Sequence, residues 1–424
     1  MNAFYNLSQK MQVEFSNFFK PLCRNLNKAE SNLLKSASKG LLQSNSLILR
    51  QIAQYLPGKT FLKKKEKRLS YHLSKCDLND KLMTNLLLTQ SSKITDESLI
   101  IIDGSDITKP SANKMDGLKK IRDGSTGKQE KGFHLLNGIS LTKTISGYDI
   151  HPLFSELFST DKEIDSEKNI LFDRLNDICL FSENKGTYVF DRLYDDRYVF
   201  NFMNQQESNY IIRAKNNRTI YVDGEKYSFR DAAKMIELTH TYFDPFTKKK
   251  FKYGVKKVSI SLDSYPKKKA PNLINVYLTV ARFPNNGGYF YYFSNFPRKE
   301  LSEKQVGEKC LRCYRLRWKI EEVHRQLKQD FGWEKMQLLN YNRLKMLNTV
   351  FWITASFLYS TKRFLKDLLE VFKDDIISKK NDKVPLMGFV FYRLTRAVKK
   401  LFFPVKQRSK IKAKFDRMQM VLKF

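Results

Sequence analysis

Two short runs in this 424-residue chain, SLIII at 98–102 and TYVF at 187–190, carry no charge, and each is followed directly by an aspartate, Asp103 and Asp191. A half-exposed strand alternates apolar and polar residues, whereas a strand covered on both faces does not. The runs therefore predict central strands buried on both faces, with polar residues where the chain emerges from that cover. YII at 210–212, leading into Arg213, is a third instance. A single terminal aspartate would carry no weight, because aspartate commonly opens a turn or a helix. Two of them, on two central strands, mark a candidate site.

The segment CYRLRWKIEEVHRQLKQDFGWEK at 313–335 is the other informative stretch. On a helix at about 100° per residue, Leu316, Ile320, Val323 and Leu327 form one apolar stripe, the core face. Tyr314, Arg317, Glu321 and Lys328 fall on the other side within an arc of roughly 60°, and Arg325 lands beside them. A carboxylate thus stands in a row of one phenol and several cations. Spacing alone is equally compatible with a solvent face laced by pairs such as Arg317 and Glu321. The chemistry of oxygen ligands favours a second reading. Magnesium is held by a few carboxylates, waters and substrate phosphates, and two ions about 3.5–4 Å apart can serve the attacking and leaving oxygens at one phosphorus. Asp103, Asp191 and Glu321 would supply the carboxylates. The surrounding cations would hold phosphates, and the Tyr314 hydroxyl could donate to a phosphate oxygen. Asp106, Asp195, Asp196 and Glu322 are rival ligands close in sequence.

Charge points to the same class of partner. The 77 Lys+Arg exceed the 44 Asp+Glu by 33, far beyond the net charge of roughly 2–8 that keeps a small domain soluble. With 42% hydrophobic residues the chain can still bury a core, so it reads as a folded protein whose surface attracts a polyanion. Residues 1–90 read as helical and basic, with Leu33, Leu34, Leu41, Leu42, Ile48 and Leu49 at helical spacing and Pro57-Gly58 as a stop. FLKKKEKRLSYHLSKC at 61–76 then places Lys64, Lys65 and Arg68 on a helix that reads either as a solvated face or, with the overall charge in its favour, as one suited to phosphate contacts. The first and second parts of an α/β core are expected at 91–218 and 287–370. Between them, 219–286 is Lys-rich and alternating, and reads as an antiparallel β insertion. From 371 to 424 aromatic clusters alternate with basic runs, which suggests a helical region with a possible part in dimerisation.

Other chemistries are weaker. Cys310-x2-Cys313 is half of a zinc site, but four ligands are wanted, the other cysteines are scattered, and His324 points away from Cys313; helix packing accounts for the pair. Five scattered cysteines fit a reducing compartment. His134 reads as a strand histidine with either a structural or a functional role, and Trp333 as core or interface. There is no Walker A or dinucleotide loop. The longest apolar run, 346–359, is too short to span a bilayer and reads as a buried helix, so no membrane is expected. The first fifteen residues lack the basic start and apolar run of a secretory signal.

At this point the sequence resembles a known family. Tyr314-x2-Arg317-x3-Glu321-x6-Lys328 is similar to the Y-R-E-K signature of the cut-and-paste DDE transposases of the insertion-sequence-4 type. Arg317-Trp318-Lys319-Ile320-Glu321 resembles the core of that signature, Asp103 and Asp191 look like its two catalytic aspartates, and Arg213 resembles a DNA-contacting arginine of the family. The first aspartate departs from the commoner Asp-x-Thr, since Gly104-Ser105-Asp106 follows it. The resemblance implies an RNase H-like α/β fold, a mixed sheet with flanking helices, interrupted by a β-rich insertion between the second Asp and the Glu. It also implies a helical N-terminal domain that binds the element's terminal repeats. Asp103, Asp191 and Glu321 would be the catalytic residues and ligands of two Mg²⁺, with Mn²⁺ as a substitute. Double-stranded DNA, as terminal inverted repeats and target, would be the partner of a homodimer in the cytoplasm of a prokaryote, on its nucleoid. A relative that binds DNA without cutting it, as a repressor or domesticated scaffold, and a nuclease that cuts without joining, are the competing readings.

Overall fold

The structure, a computed structural model, describes residues 2–124, 126–145, 147–159, 167–263, 271–283, 288–297, 299–372 and 390–402. Helices α1 (Asn2–Leu22), α2 (Lys28–Ser44), α3 (Leu49–Ala53), α4 (Leu62–His72) and α5 (Cys76–Ser91) come first. The leucine pattern of this region is divided between two helices. Asn27 and Glu30 close a capping box at the start of α2, and Asn45, in left-handed conformation, ends it before Ile48 starts α3.

The three buried runs are strands of the sheet that follows. Strand β1 (Leu99–Thr108) pairs antiparallel with β3 (Gln129–Thr144), whose far side pairs with β2 (Lys119–Arg122) and β4 (Gly147–Phe158). After α6 (Glu167–Ser182), β5 (Thr187–Phe190) lies parallel to β1, and after α7 (Arg197–Gln205), β6 (Asn209–Arg213) lies parallel to β5. The order β4-β3-β1-β5-β6, antiparallel on one side of β1 and parallel on the other, is the RNase H-like arrangement, and all of β5 is buried. Gly138 lets β3 and β4 approach closely: a Cβ there would lie 2.3 Å from the Phe154 ring, beside a register shift between Gly138 and Ile139.

The β-rich segment is not a separate sheet. Strands β7 (Thr219–Val222), β8 (Glu225–Ser228), β9 (His240–Asp244), β10 (Lys249–Ser261) and β11 (Leu273–Arg282), with α8 (Phe229–Lys234) among them, join the core through β12 (Tyr289–Asn295). That strand pairs antiparallel with β11 on one edge and β6 on the other, so the hydrogen-bonded ladder runs on from the core.

The predicted helix 313–335 is two helices. Between α9 (Glu303–Leu316) and α10 (Trp318–Phe331) the turn tightens, with the Arg317 N–H bonding to the Tyr314 carbonyl three residues back. Gly332, at φ 64°, ends α10, so Trp333, Glu334 and Lys335 leave the helix as one 3₁₀ turn. The expected stripe holds: Leu316, Ile320, Val323 and Leu327 are all buried. Helix α11 (Tyr341–Ser360) contains the long apolar run and is buried on every side from Met346 to Tyr359, which makes it the central helix of the layer. Among the described residues no helix is long and apolar enough to cross a membrane. Helices α2 and α5 pack on α11 and share one apolar cluster with the sheet. The Thr349 hydroxyl donates to Asn79 at 2.7 Å and Arg343 to Ser70 at 3.0 Å, tying α11 to the N-terminal helices. After α12 (Leu365–Val371), α13 (Val390–Phe402) packs against α1 and α2. The rest of the region expected at 371–424, residues 373–389 and 403–424, lies outside the described residues.

Candidate active site

The last register pair between the parallel strands β1 and β5 is Ile102 with Phe190. Asp103 and Asp191 are the next residue on each, so the two aspartates emerge together at the carboxyl end of adjacent parallel strands. Asp191 does end its strand. Asp103 does not, because β3 continues to pair with β1 as far as Thr108, well past the point where β5 stops. Glu321, in the first turn of α10, is the third acid.

Two side chains from the helix pair join these acids. Arg317 donates to Asp103 Oδ2 at 2.6 Å and to Glu321 Oε1 at 2.5 Å. The Tyr314 hydroxyl donates to Asp191 Oδ1 at 3.0 Å, and the same oxygen accepts the Arg192 N–H at 2.6 Å. The tight turn at Arg317 serves both contacts, since it lies between the residue that reaches Asp191 and the one that reaches Glu321. Burial pushes the Asp103 carboxyl up, Arg317 pulls it back, and Asp191 and Glu321 push it up again, to about 6. Burial and Asp191 push the Tyr314 phenol up to about 12, so it stays a donor. Burial works against the Arg317 charge, but the facing acids outweigh it and hold the guanidinium protonated.

The rival acids have other partners. Asp195 is buried, accepts the Lys215 N–H at 2.5 Å and pairs with Arg218, pinning the chain that leaves β6. Asp196 caps α7 and pairs with Lys168 at 3.1 Å. Glu322 pairs with Lys319 at 2.7 Å. Asp106 accepts from the Gly124 N–H at 3.2 Å and stands 3.6 Å from Lys328.

The expected DNA-contacting residues divide into two sets. Tyr314 and Arg317 stand among the acids, and with Arg213 they line a cavity of about 600 Å³ walled by Phe290, Tyr292 and Trp318. Arg213 lies over the Phe290 ring at 5.3 Å. Lys328 is two turns further along α10, 3.0 Å from Glu334. Arg325 is exposed and lies over Trp318 at 5.9 Å rather than among the acids. On α4, Lys64 and Arg68 are exposed, but Lys65 is half-buried and donates to the Leu56 carbonyl at 2.6 Å.

Sequence reasoning passed over one contact here. Asn137 on β3, the register partner of Asp103, bonds to His324 on α10 at 2.9 Å. The clue was the polar Asn137 directly after the apolar pair Leu135-Leu136 in the buried middle of the strand. His134 stacks on Phe158, and Cys310 and Cys313 are buried on α9 as packing residues.

The donor set is all oxygen, which suits a hard divalent cation. Asp103 and Glu321 already share one cation, the guanidinium of Arg317, each through a different terminal nitrogen. With Arg317 between them, no group of three or more His, Cys, Asp or Glu among the described residues stands as a metal cage. The residues therefore suit such a cation by donor type, while Arg317 holds the oxygens of Asp103 and Glu321 in this arrangement.

The sequence profile of the transposase DDE domain matches residues 94–355, from just before β1 into α11, and spans all three acids. A search of curated proteins finds no match. With more than half of its length matched, and with an RNase H-like sheet that places Asp103 and Asp191 side by side near Glu321 of α10, the chain belongs to the DDE transposase family.

Proposed function

We propose that this protein excises an insertion sequence of the insertion-sequence-4 type at its terminal inverted repeats and joins it to target DNA by phosphoryl transfer. The observation that carries the reading is the meeting of Asp103, Asp191 and Glu321, from β1, the end of β5 and α10, around Arg317 and Tyr314. Asp103, Asp191 and Glu321 would hold two Mg²⁺, or Mn²⁺ in their place. Bound there, the ions supply activation of the attacking oxygen and stabilisation of the leaving oxygen.

The protein's own groups do the rest. Arg317, freed from the carboxylates, offers a two-pronged donor to a phosphate. Tyr314 keeps its proton and orients Asp191. Lys328 and Arg213 add charge on either side, and the aromatic cavity beside Tyr314 has the size and walls to take an unstacked nucleotide at the DNA end. Lys64 and Arg68 on α4 track duplex phosphates. A homodimer would bring two ends together.

The test is to make Asp103→Ala, Asp191→Ala and Glu321→Ala, and to measure Mg²⁺-dependent nicking and strand transfer alongside binding of the terminal repeat. Binding without nicking is expected in all three. A variant that nicks at the wild-type rate removes that residue from the assignment.

A further inference from the structure

The sheet beside Asp103 carries a polar rung across a mostly apolar core. Asp103 on β1 is the register partner of Asn137 on β3, and Asn137 is in turn the partner of Ser155 on β4. Residues directly opposite one another share a face with Cβ atoms about 4.5–5.5 Å apart, so the three stand in one line across the sheet. Each meets a polar group from the helices above. Arg317 reaches Asp103, and Asn137 Nδ2 lies 2.9 Å from His324 Nε2. Asn348 on α11 donates to Ser155 Oγ at 3.0 Å and accepts from the Trp333 indole at 2.8 Å. Trp333 then stands edge-on to His324, 6.3 Å between ring centres, which closes the circuit.

All the members beyond Asp103 and Arg317 are buried, Asn137, Trp333 and Asn348 completely. Polar groups at such depth are costly, and the Asn137 Oδ1 is buried with no hydrogen-bond partner among the described residues. Apolar packing would hold a helix on a sheet at less cost, but it tolerates sliding; a buried hydrogen bond has one geometry. The bond in question is made by the residue beside Asp103 and by the residue three after Glu321 and seven after Arg317, all on one face of α10. The ring is neutral, its pKa driven down to about 3 by burial and by Lys328 and Arg317, so it can accept from the Asn137 amide throughout the working range.

We propose that Asn137 and His324 are positioning residues for the catalytic acids: their buried hydrogen bond fixes the register of α10 over β1, and with it the separation of Glu321 from Asp103. The inference rests on the metal-dependent reading above. Residues that orient metal ligands from behind typically change metal affinity or activity by about 10–100-fold when replaced.

The experiment measures Mn²⁺ binding to the full-length protein by electron paramagnetic resonance, without DNA, next to thermal unfolding and nicking. Replacing both partners, Asn137→Leu with His324→Leu, leaves no orphaned group, so the thermal midpoint should stay at or above that of the wild type. Mn²⁺ binding should nevertheless weaken by about tenfold or more, and the metal concentration that half-saturates nicking should rise in step. Unchanged Mn²⁺ affinity in the folded double variant overturns the proposal. If the double variant does not fold, His324→Gln is compared with His324→Asn. The Gln amide reaches the place of Nε2 and should keep near-wild-type affinity, whereas the Asn amide stops at the place of Nδ1 and should not. Equal affinities in those two folded variants also overturn it. A wild-type protein that binds no Mn²⁺ defeats the metal-dependent reading itself, whereas wild-type binding with equally tight variants defeats only the positioning role.

Discussion

Arg317 donates a hydrogen bond of 2.6 Å to Asp103, and the side chains of the pair are 12% and 16% exposed. Its other terminal nitrogen holds Glu321. One guanidinium therefore bridges two of the three acids, and a divalent cation held by them would have to displace it. Breaking a buried pair on one side costs roughly 3–5 kcal/mol; Asp103 can escape part of that by taking up a proton. Arg317→Ala is expected to lose about 2–3 kcal/mol in metal-free urea unfolding at pH 7. Added Mg²⁺ should then stabilise the variant more than the wild type, because nothing competes for the oxygens. Equal stabilisation of the two proteins would show that the guanidinium and the metal do not share a place.

Asp103 gives the metal-free protein a pH signature. Its pKa is raised from 3.8 to about 6, mainly by burial. For an acid with a raised folded-state pKa, the stability linked to its proton is fully present below the unfolded value. It is lost as pH rises through the folded value. Stability should therefore fall between about pH 4 and pH 6, by something on the order of 3 kcal/mol from this group. Asp103→Asn should remove that slope and stabilise the metal-free protein above pH 6. Urea midpoints measured from pH 4 to 7 in both proteins provide the check, and a slope retained in Asp103→Asn would assign it to another group.

The parts of this site legible in the sequence are those where a local pattern has one physical cause. Burial on both faces removes charge from 99–102, 187–190 and 210–212, and all three are strands. Helical spacing alone aligns Tyr314, Arg317 and Glu321, and they do reach the acids. What escaped depends on pairings between distant segments. Nothing near Asn137 says that it will stand beside Asp103, because the β1–β3 register decides that. The same pairing carries β1 past Asp103. Lys64 and Lys65 are indistinguishable in sequence, yet only Lys65 finds the Leu56 carbonyl. Arg325 is on the correct arc, but Trp318 offers its indole face nearer by.

That difference on α4 predicts how DNA binding responds to salt. Lys64 and Arg68 are exposed with their charges free to meet phosphate, whereas the Lys65 ammonium is bonded to the Leu56 carbonyl in the turn after α3. Removing a cation that neutralises one phosphate should flatten the slope of log K against log salt by about 0.9. Lys64→Ala and Arg68→Ala should each show that change with unaltered thermal stability. Lys65→Ala should instead lower the thermal midpoint and leave the slope nearly intact. Filter-binding or anisotropy titrations of the terminal repeat at several salt concentrations measure it, and a full slope change in Lys65→Ala would place that lysine on the DNA.

Tyr314 is the cleanest test of how the helix pair serves Asp191. Its hydroxyl is the donor in the 3.0 Å contact with Asp191 Oδ1, and with a pKa pushed up to about 12 it does not ionise in any usable pH range. Tyr314→Phe keeps the ring, which packs 4.7 Å from Tyr292, and removes only the donor. A hydrogen bond to a charged group contributes roughly 1.5–3 kcal/mol, so nicking should slow on the order of tenfold to a hundredfold while repeat binding stays the same. The pH profile should keep its shape up to pH 9, since the lost group never titrated there. A rate that matches the wild type would mean that Asp191 is held in place by the Arg192 N–H alone. A profile that changes shape on the alkaline side would mean that the phenol gives up its proton during the reaction and is more than an orienting donor.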